Sequence, residues 1–237
     1  MGQEALPEHA TGPALVDAIA ALIRTKIMSG EYPIGAQLRQ AELAAEFGVS
    51  RTPVREALRQ LQTGGLIDVV PNRGAVVRVP SPWDVREAYQ VRAELEGLAA
   101  SLAVENISAE HIEQLRAANK AMYERTSKES RLDDIPPSER PENDLFHSTI
   151  ADLSGNSRLA RMIDEINQAF PRNVSAQLLL TDSRYRDENF REHERILDAL
   201  AAGDAETARA ELREHIIKAG EHLARWYEKR SSTVFRG

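Results

Sequence analysis

The chain has no cysteine. Disulfides, thiolate metal sites and thiol catalysis are therefore excluded. It has no apolar run of the length needed to cross a bilayer, and its N-terminus lacks the basic-then-apolar pattern of a secretory signal. A cytoplasmic protein with no membrane partner is expected. No repeat of fixed period is visible, and no strand pattern appears after residue 80. Positive charge is not in excess either, since 30 Lys and Arg face 37 Asp and Glu for a net charge of −7. What is present is globular: 42% hydrophobic and 28% charged residues exclude a disordered chain. A length of 237 residues is long for one core and natural for two domains.

One stretch organises the N-terminal part, running from Gly48 through Arg51, Thr52, Pro53, Arg55 and Arg59 to Leu61. As a helix from about Ser50, it puts Val54, Leu58 and Leu61 on one face and Arg51, Arg55, Arg59 and Gln62 on another, because residues three or four apart are helical neighbours. Ser50 suits an N-cap, and Pro53 is tolerated in the first turn, where its missing N–H has no intrahelical partner. Upstream, Gln40 to Phe47 reads as a short helix with Leu43, Ala44 and Phe47 inward, closed by Gly48. Helix, glycine turn and basic helix together make a helix-turn-helix. The arginine row has a plain alternative, a solvated charged face. Before it, Pro13 opens a helix with Leu15, Ile19, Leu22, Ile23 and Ile27 at buried-face spacing, ending at Ser29-Gly30. After it, Leu66 to Val70, Pro71 to Gly74 and Ala75 to Val79 read as strand, turn and strand, a wing with Arg73 at its tip.

With Gly30, Gly35, Leu38, Leu43, Ala44 and Gly65-Leu66 around it, the segment Val49-Ser50-Arg51-Thr52-Pro53-Val54-Arg55-Glu56-Ala57-Leu58 closely resembles the DNA-binding domain of the GntR family of bacterial transcription regulators. The resemblance covers roughly Pro13 to Pro80. It implies a winged helix-turn-helix over 13–79 that contacts DNA through Arg39, Ser50, Arg51, Thr52, Arg55, Arg59, Arg73 and Gly74, with Arg51 and Arg55 foremost. One departure is visible: many members carry a second basic residue in the helix before the turn, whereas only Arg39 is present there. Residues 1–80 hold eight basic and eight acidic residues, so the whole −7 lies in the C-terminal part. DNA binding must then rest on a local arginine stripe and few phosphate contacts.

Pro80-Ser81-Pro82 marks the domain boundary, and Ser81 with Asp84 suits a helix start. Apolar stripes predict helices from there toward Asn106 (Val85, Ala88, Tyr89, Leu95, Ala99, Leu102) and over about Ser108 to Thr126 (Ile112, Leu115, Ala118, Met122). Ser127 to Pro141, with Pro136, Pro137 and Pro141, reads as a loop. Further helices are predicted at about Glu142 to Ser154, Ser157 to Leu180 with a bend at Pro171, Arg184 to Ala202 and Asp204 to Tyr227. The expected fold is mainly α: the winged domain, then an antiparallel all-α bundle of six or seven helices over 81–229.

Three histidines interrupt apolar faces of this bundle. His147 shares a face with Ile150 and Leu153, His193 lies between Phe190 and Leu197, and His215 between Leu212 and Ala219. Singly, each reads as a core histidine with a hydrogen-bond partner. Together, three inward imidazoles are costly to bury unless something binds them, and no second inward carboxylate is evident to serve instead. Asn143, one turn before His147, points the same way. Arg92 interrupts another apolar stripe, either as an ion pair with Glu96 four residues on or as a fork for a carboxylate. His222 lies two turns after His215. His111 and His9 read as surface residues.

Asn143-Asp144-Leu145-Phe146-His147, Ser154-Gly155-Asn156, Glu192-His193 and Glu214-His215 resemble the FCD ligand-binding domain of the FadR-type branch of the GntR family. The resemblance implies a divalent metal, zinc first with nickel or manganese as alternatives, on Asn143, His147, His193 and His215, with Asp144 as an alternative ligand. A small carboxylate effector then completes the coordination, with Arg92 and His222 beside it. The implied protein is a homodimeric repressor that binds a short palindromic operator in double-stranded DNA under effector control. Two other readings are a metal-dependent enzyme using the three histidines and an architectural DNA-binding protein with an inert bundle. No His-Glu-x-x-His spacing favours the enzyme.

Overall fold

The structure, a computed structural model, describes residues 11–71, 73–128, 142–170 and 172–234, without the side chains of 142–144, 172, 173 and 230–234. Two compact units result, one built from Met1–Val79 with Ala169–Asn173 and the other from Pro80–Gln168 and Val174–Gly237. The first contains α1 (Gly12–Ser29), β1 (Gln37–Leu38), α2 (Gln40–Phe47), α3 (Arg51–Thr63), β2 (Ile67–Val70) and β3 (Gly74–Val77). The predicted hairpin is present as β2 and β3, in antiparallel register from Ile67 opposite Val77 to Val70 opposite Gly74. A further strand, β1, pairs with the free edge of β3, giving the order β1-β3-β2. Its two residues carry no readable period.

The unit's core gathers Ile19, Ile23 and Ile27 from α1, Leu43 from α2, Val54, Leu58 and Leu61 from α3, and Ile67 and Val77 from the sheet. The inward faces expected of these helices are therefore the buried ones. Gly48 ends α2 at φ 67°, a left-handed conformation that side chains with a Cβ rarely adopt. Ser50 occupies the N-cap position of α3, but its side chain makes no capping hydrogen bond. The hydroxyl stays uncommitted, which departs from the capping role expected of it.

The second unit is all helix among the described residues: α4 (Pro82–Ala103), α5 (Ala109–Lys128), α6 (Glu142–Leu153), α7 (Ser157–Asn167), α8 (Arg172–Thr181), α9 (Ser183–Ala201) and α10 (Ala205–Val234). Ser81 and Asp84 form a reciprocal capping box at the start of α4. The single bent helix expected over Ser157 to Leu180 is instead two helices, α7 and α8. Proline has no N–H to continue the ladder and disfavours helical backbone in the residue before it, which is a sequence reason for two helices where one bent helix was expected. α10 runs past its expected end at Tyr227 to Val234. The predicted loop over 127–141 lies almost wholly outside the described residues.

Register contacts fix the packing. Gly97 of α4 meets Arg209 and Arg213 of α10 while Tyr89 meets Gly220, so these helices run antiparallel. His193 faces His215 and Tyr185 faces His222, so α9 and α10 do too. A Cβ on Gly220 would stand 2.5 Å from Tyr89 Cβ, so only glycine allows this approach. Among the described residues no helix is long and apolar enough to cross a membrane.

Candidate metal centre and nucleic-acid interface

His147 on α6, His193 on α9 and His215 on α10 are buried at 3%, 0% and 2% exposure. Their ligand nitrogens all lie within 4.8 Å of one another. The elements that bring them together are apolar: Phe146 stacks flat on the His193 ring with centroids 3.9 Å apart, and Ile150, Ile196, Leu197, Leu212 and Ile216 fill the surrounding helix faces.

The direction of each ring is set by its other nitrogen. His147 Nδ1 lies 2.7 Å from Glu96 Oε2 and His215 Nδ1 lies 2.8 Å from Glu192 Oε2. A carboxylate only accepts, so both Nδ1 atoms carry the proton. His193 Nδ1 lies 3.1 Å from Asn119 Oδ1, and the Nδ2 of that amide donates to Phe190 O and Glu194 Oε1. The amide oxygen is thereby fixed as acceptor, and His193 Nδ1 is also protonated. In the neutral ring each Nε2 then presents a lone pair, and those of His193 and His215 face each other at 3.2 Å. Two lone pairs at that distance repel unless a cation lies between them.

Burial pushes the pKa of His193 well below its ordinary value, helped by the neighbouring imidazoles. Burial also lowers His215, against the opposing pull of Glu192. Burial disfavours charge on Glu96, but the Arg92 guanidinium and His147 outweigh it and hold the carboxyl at about 2. Burial likewise opposes ionisation of Glu192, while His215 and Lys218 keep its pKa below the usual carboxylate range. Neutral imidazoles backed by ionised carboxylates are the donor set of a metal-binding histidine site. A tetrahedral ion with bonds of about 2.0–2.1 Å spaces its nitrogens about 3.3 Å apart; the His193–His215 pair matches this at 3.2 Å, and the His147 nitrogen lies within 4.8 Å of both. The residues fit a divalent ion.

The expectation that no inward carboxylate serves these histidines is overturned, because Glu96 and Glu192 are buried at 1% and 4% exposure and do so. Sequence reading missed them, together with Asn119. The signals were Glu96 at one turn from an already suspect Arg92, Glu192 beside His193, and Asn119 one turn from Leu115; the stripe assigned to Ala118 in fact buries Asn119. Arg92 is buried and ion-paired with Glu96, the first of its two readings. His222 stands apart from the three histidines and packs on Tyr185 with ring centroids 4.4 Å apart. The side chains of Asn143 and Asp144 lie outside the described residues, as does His9. His111, expected at the surface, is half-buried, and its Nδ1 takes part in the turn at Ser108.

In the first unit, Arg39, Ser50, Arg51, Thr52, Arg55, Arg59, Arg73 and Gly74 are all exposed. Arg51 makes no ion pair among the described residues, whereas Arg55 and Arg59 share Glu56 at 3.5 and 3.4 Å. Arg39 pairs with Glu42 at 2.9 Å, both side chains more than 60% exposed. Exposed pairs of this kind are worth little and exchange readily for another anion. At the wing, Arg73 Nη2 donates to Gly35 O at 3.4 Å.

Residues 15–77 match the model of the bacterial regulatory proteins of the gntR family, and residues 87–218 match that of the FCD domain. The chain is 32% identical over 214 residues to a probable D-xylose utilization operon transcriptional repressor of Paenarthrobacter nicotinovorans, covering 90% of each chain. It is 28% identical to the HTH-type transcriptional regulator YdhC of Bacillus subtilis (strain 168), over 85% of this chain and 87% of that one. Among solved structures, E. coli McbR/YncC superposes with a TM-score of 0.70 at 25% identity, over 90% of this chain and 98% of that one. The families matched are regulators and not enzymes, which removes the reading as a metal-dependent enzyme.

Proposed function

Because this chain belongs to the GntR family of bacterial regulatory proteins and carries an FCD domain, it is a transcriptional regulator, and we propose that it is a repressor whose operator binding answers to a small carboxylate held at a divalent metal. Residues 13–79 form the DNA-binding domain and 81–229 the effector domain. α3 enters the major groove; Arg51 and Arg55 read base edges, Arg59 and Arg39 meet phosphates, and Arg73 with Gly74 brings the wing to the backbone or minor groove. The uncapped N-terminus of α3, with Ser50 and Thr52 exposed, suits a phosphate oxygen.

His147, His193 and His215 hold the ion, zinc by its preference for this donor set, and Asn143 supplies a further oxygen. When bound, the ion supplies positive charge to an anionic oxygen. The observation that carries this reading is the convergence of three Nε2 lone pairs, each fixed by its own partner on Nδ1. Because the three imidazole ligands are neutral, a carboxylate is favoured in the open positions, and Arg92 receives its second oxygen. A ligand that prefers one arrangement of α4, α6, α9 and α10 shifts the bundle's population, and with it the operator affinity of a homodimer. Elemental analysis of tag-free protein tests the metal, with about one zinc per chain expected and less than a tenth counting against it. Operator binding followed with a panel of small acids, before and after chelation, tests the response.

A further inference from the structure

On the side of α9 away from the three imidazoles, a cavity of about 520 Å³ opens toward α10. Four of its lining side chains are basic, Arg184, Arg191, Arg195 and Lys218, against two acidic ones, Asp187 and Glu188. Asp187 already accepts from the Tyr123 hydroxyl at 2.8 Å, and Arg195 is paired with Glu211 at 2.9 Å. Arg184 and Arg191 are exposed and make no ion pair among the described residues. Like charges gathered in a concavity with too few counter-charges raise the local potential and draw anions.

The fourth cation ties this cavity to the metal centre. Lys218 Nζ donates to Glu192 Oε1 at 2.9 Å, and Glu192 Oε2 accepts from His215 Nδ1 at 2.8 Å. The Lys218 side chain is 37% exposed and that of Glu192 is 5% exposed, so two hydrogen bonds connect solvent with a buried imidazole. Glu214 at 2.8 Å and Glu188 at 4.0 Å also face Lys218. Lys218 and His215 thus draw on the same carboxylate, one from the cavity and one from the interior.

We infer that this cavity is a second anion site, separate from the metal's open positions, which binds a doubly charged oxyanion of the phosphate type and raises the affinity of the metal centre. The coupling rests on the metal reading above, whereas the anion site itself does not. Guanidinium forks match the oxygens of a phosphate, and Arg184, Arg191 and Lys218 offer three cationic donors. A bound dianion offsets the charge of Lys218 and competes with Glu192 for its ammonium. Glu192 then yields more of its negative charge to His215 Nδ1–H, which makes that imidazole a better ligand. The dianion also lowers the positive potential that a divalent ion meets. By linkage, the metal must raise anion affinity by the same factor.

Calorimetric titration of the full chain with inorganic phosphate at constant ionic strength, first zinc-free and then zinc-loaded, tests both parts. Saturable binding of about one phosphate per chain is expected in the zinc-free protein, about tenfold or more weaker in the double variant Arg184→Gln, Arg191→Gln. Both positions are exposed, so that variant should fold as wild type does. Competition with a chromophoric chelator should show zinc held about fivefold or more tighter at saturating phosphate. Lys218→Met should bind zinc and lose that response; if it does not fold, Lys218→Gln, which still donates to Glu192 without the charge, replaces it. Equal phosphate affinity in wild type and double variant, or binding only when zinc is present, overturns the anion site. A zinc affinity indifferent to phosphate, or a response that survives the loss of the Lys218 charge, overturns the coupling. Failure to bind zinc at all overturns the metal reading and the coupling with it, while the titration of the zinc-free chain still decides the anion site.

Discussion

Each imidazole of the centre owes its direction to a second residue, and removing that residue should weaken metal binding without touching a ligand atom. Glu192→Gln keeps the shape but removes the charge that accepts from His215 Nδ1, and changes of this kind lower metal affinity about 10–100-fold. Competition with a chromophoric zinc chelator reads this directly, and an unchanged affinity would mean that Glu192 serves only Lys218. Glu96→Gln should do more, because it also leaves the buried guanidinium of Arg92 without its counter-charge. Breaking one partner of a buried pair costs about 3–5 kcal/mol, so this variant should show a large fall in melting temperature as well as metal loss. On the DNA side, Arg55→Ala should relax sequence preference by about 1–3 kcal/mol if Arg55 reads a base, and weaken all sequences alike if it meets only phosphate. Operator and scrambled DNA compared across a salt series separate the two. An unchanged operator affinity and salt slope would remove α3 from the groove.

At the scale of the helix, α4 and α10 depend on one missing side chain. Gly220→Ala gains about 1 kcal/mol of helix propensity, but its Cβ would stand 2.5–2.9 Å from three atoms of Tyr89. Overpacking of that kind costs about 1–3 kcal/mol, so the variant should melt earlier than wild type; a higher melting temperature would show that Tyr89 gives way freely. Such a contact is not legible in a sequence, whereas the elements themselves largely are. Helix faces were readable because period and burial agree, as with Ile19, Ile23 and Ile27 in α1 and Val54, Leu58 and Leu61 in α3. The three histidines were readable for the inverse reason, a polar group repeated on apolar faces. β1 was not, since two residues have no period and its pairing with β3 spans nearly forty positions. Glu96, Glu192 and Asn119 were not, because a glutamate or asparagine on a helix is ordinarily solvated and only the fold reveals which of them are buried. The division into α7 and α8 in place of one bent helix was not legible either, because a proline within a helical pattern can end the helix or kink it and local sequence does not decide which.

For the whole molecule, the proposed control raises the question of how a carboxylate at a buried metal would change DNA affinity. One recognition helix of 13 residues reads only a few base pairs, too few to define a site in a genome. A two-fold pair reading half-sites about one DNA turn, or about 34 Å, apart supplies the missing specificity, and it makes affinity depend on the distance between the two winged domains. The small number of exposed arginines argues the same way, because a net-neutral DNA-binding half gains too few phosphate contacts as a monomer. The expected outcome is therefore a dimeric mass by light scattering at micromolar concentration, and two chains per operator in a titration. A ligand must bind one arrangement more tightly to shift the dimer, so its effect on operator affinity is bounded by that difference and is reciprocal. If the acid weakens operator binding by some factor, saturating operator must weaken acid binding to the metal-loaded dimer by the same factor. Calorimetry of the acid with and without operator measures that equality. A monomeric mass with one chain per operator would sink the dimer, and an acid whose affinity is indifferent to operator would sink the coupling.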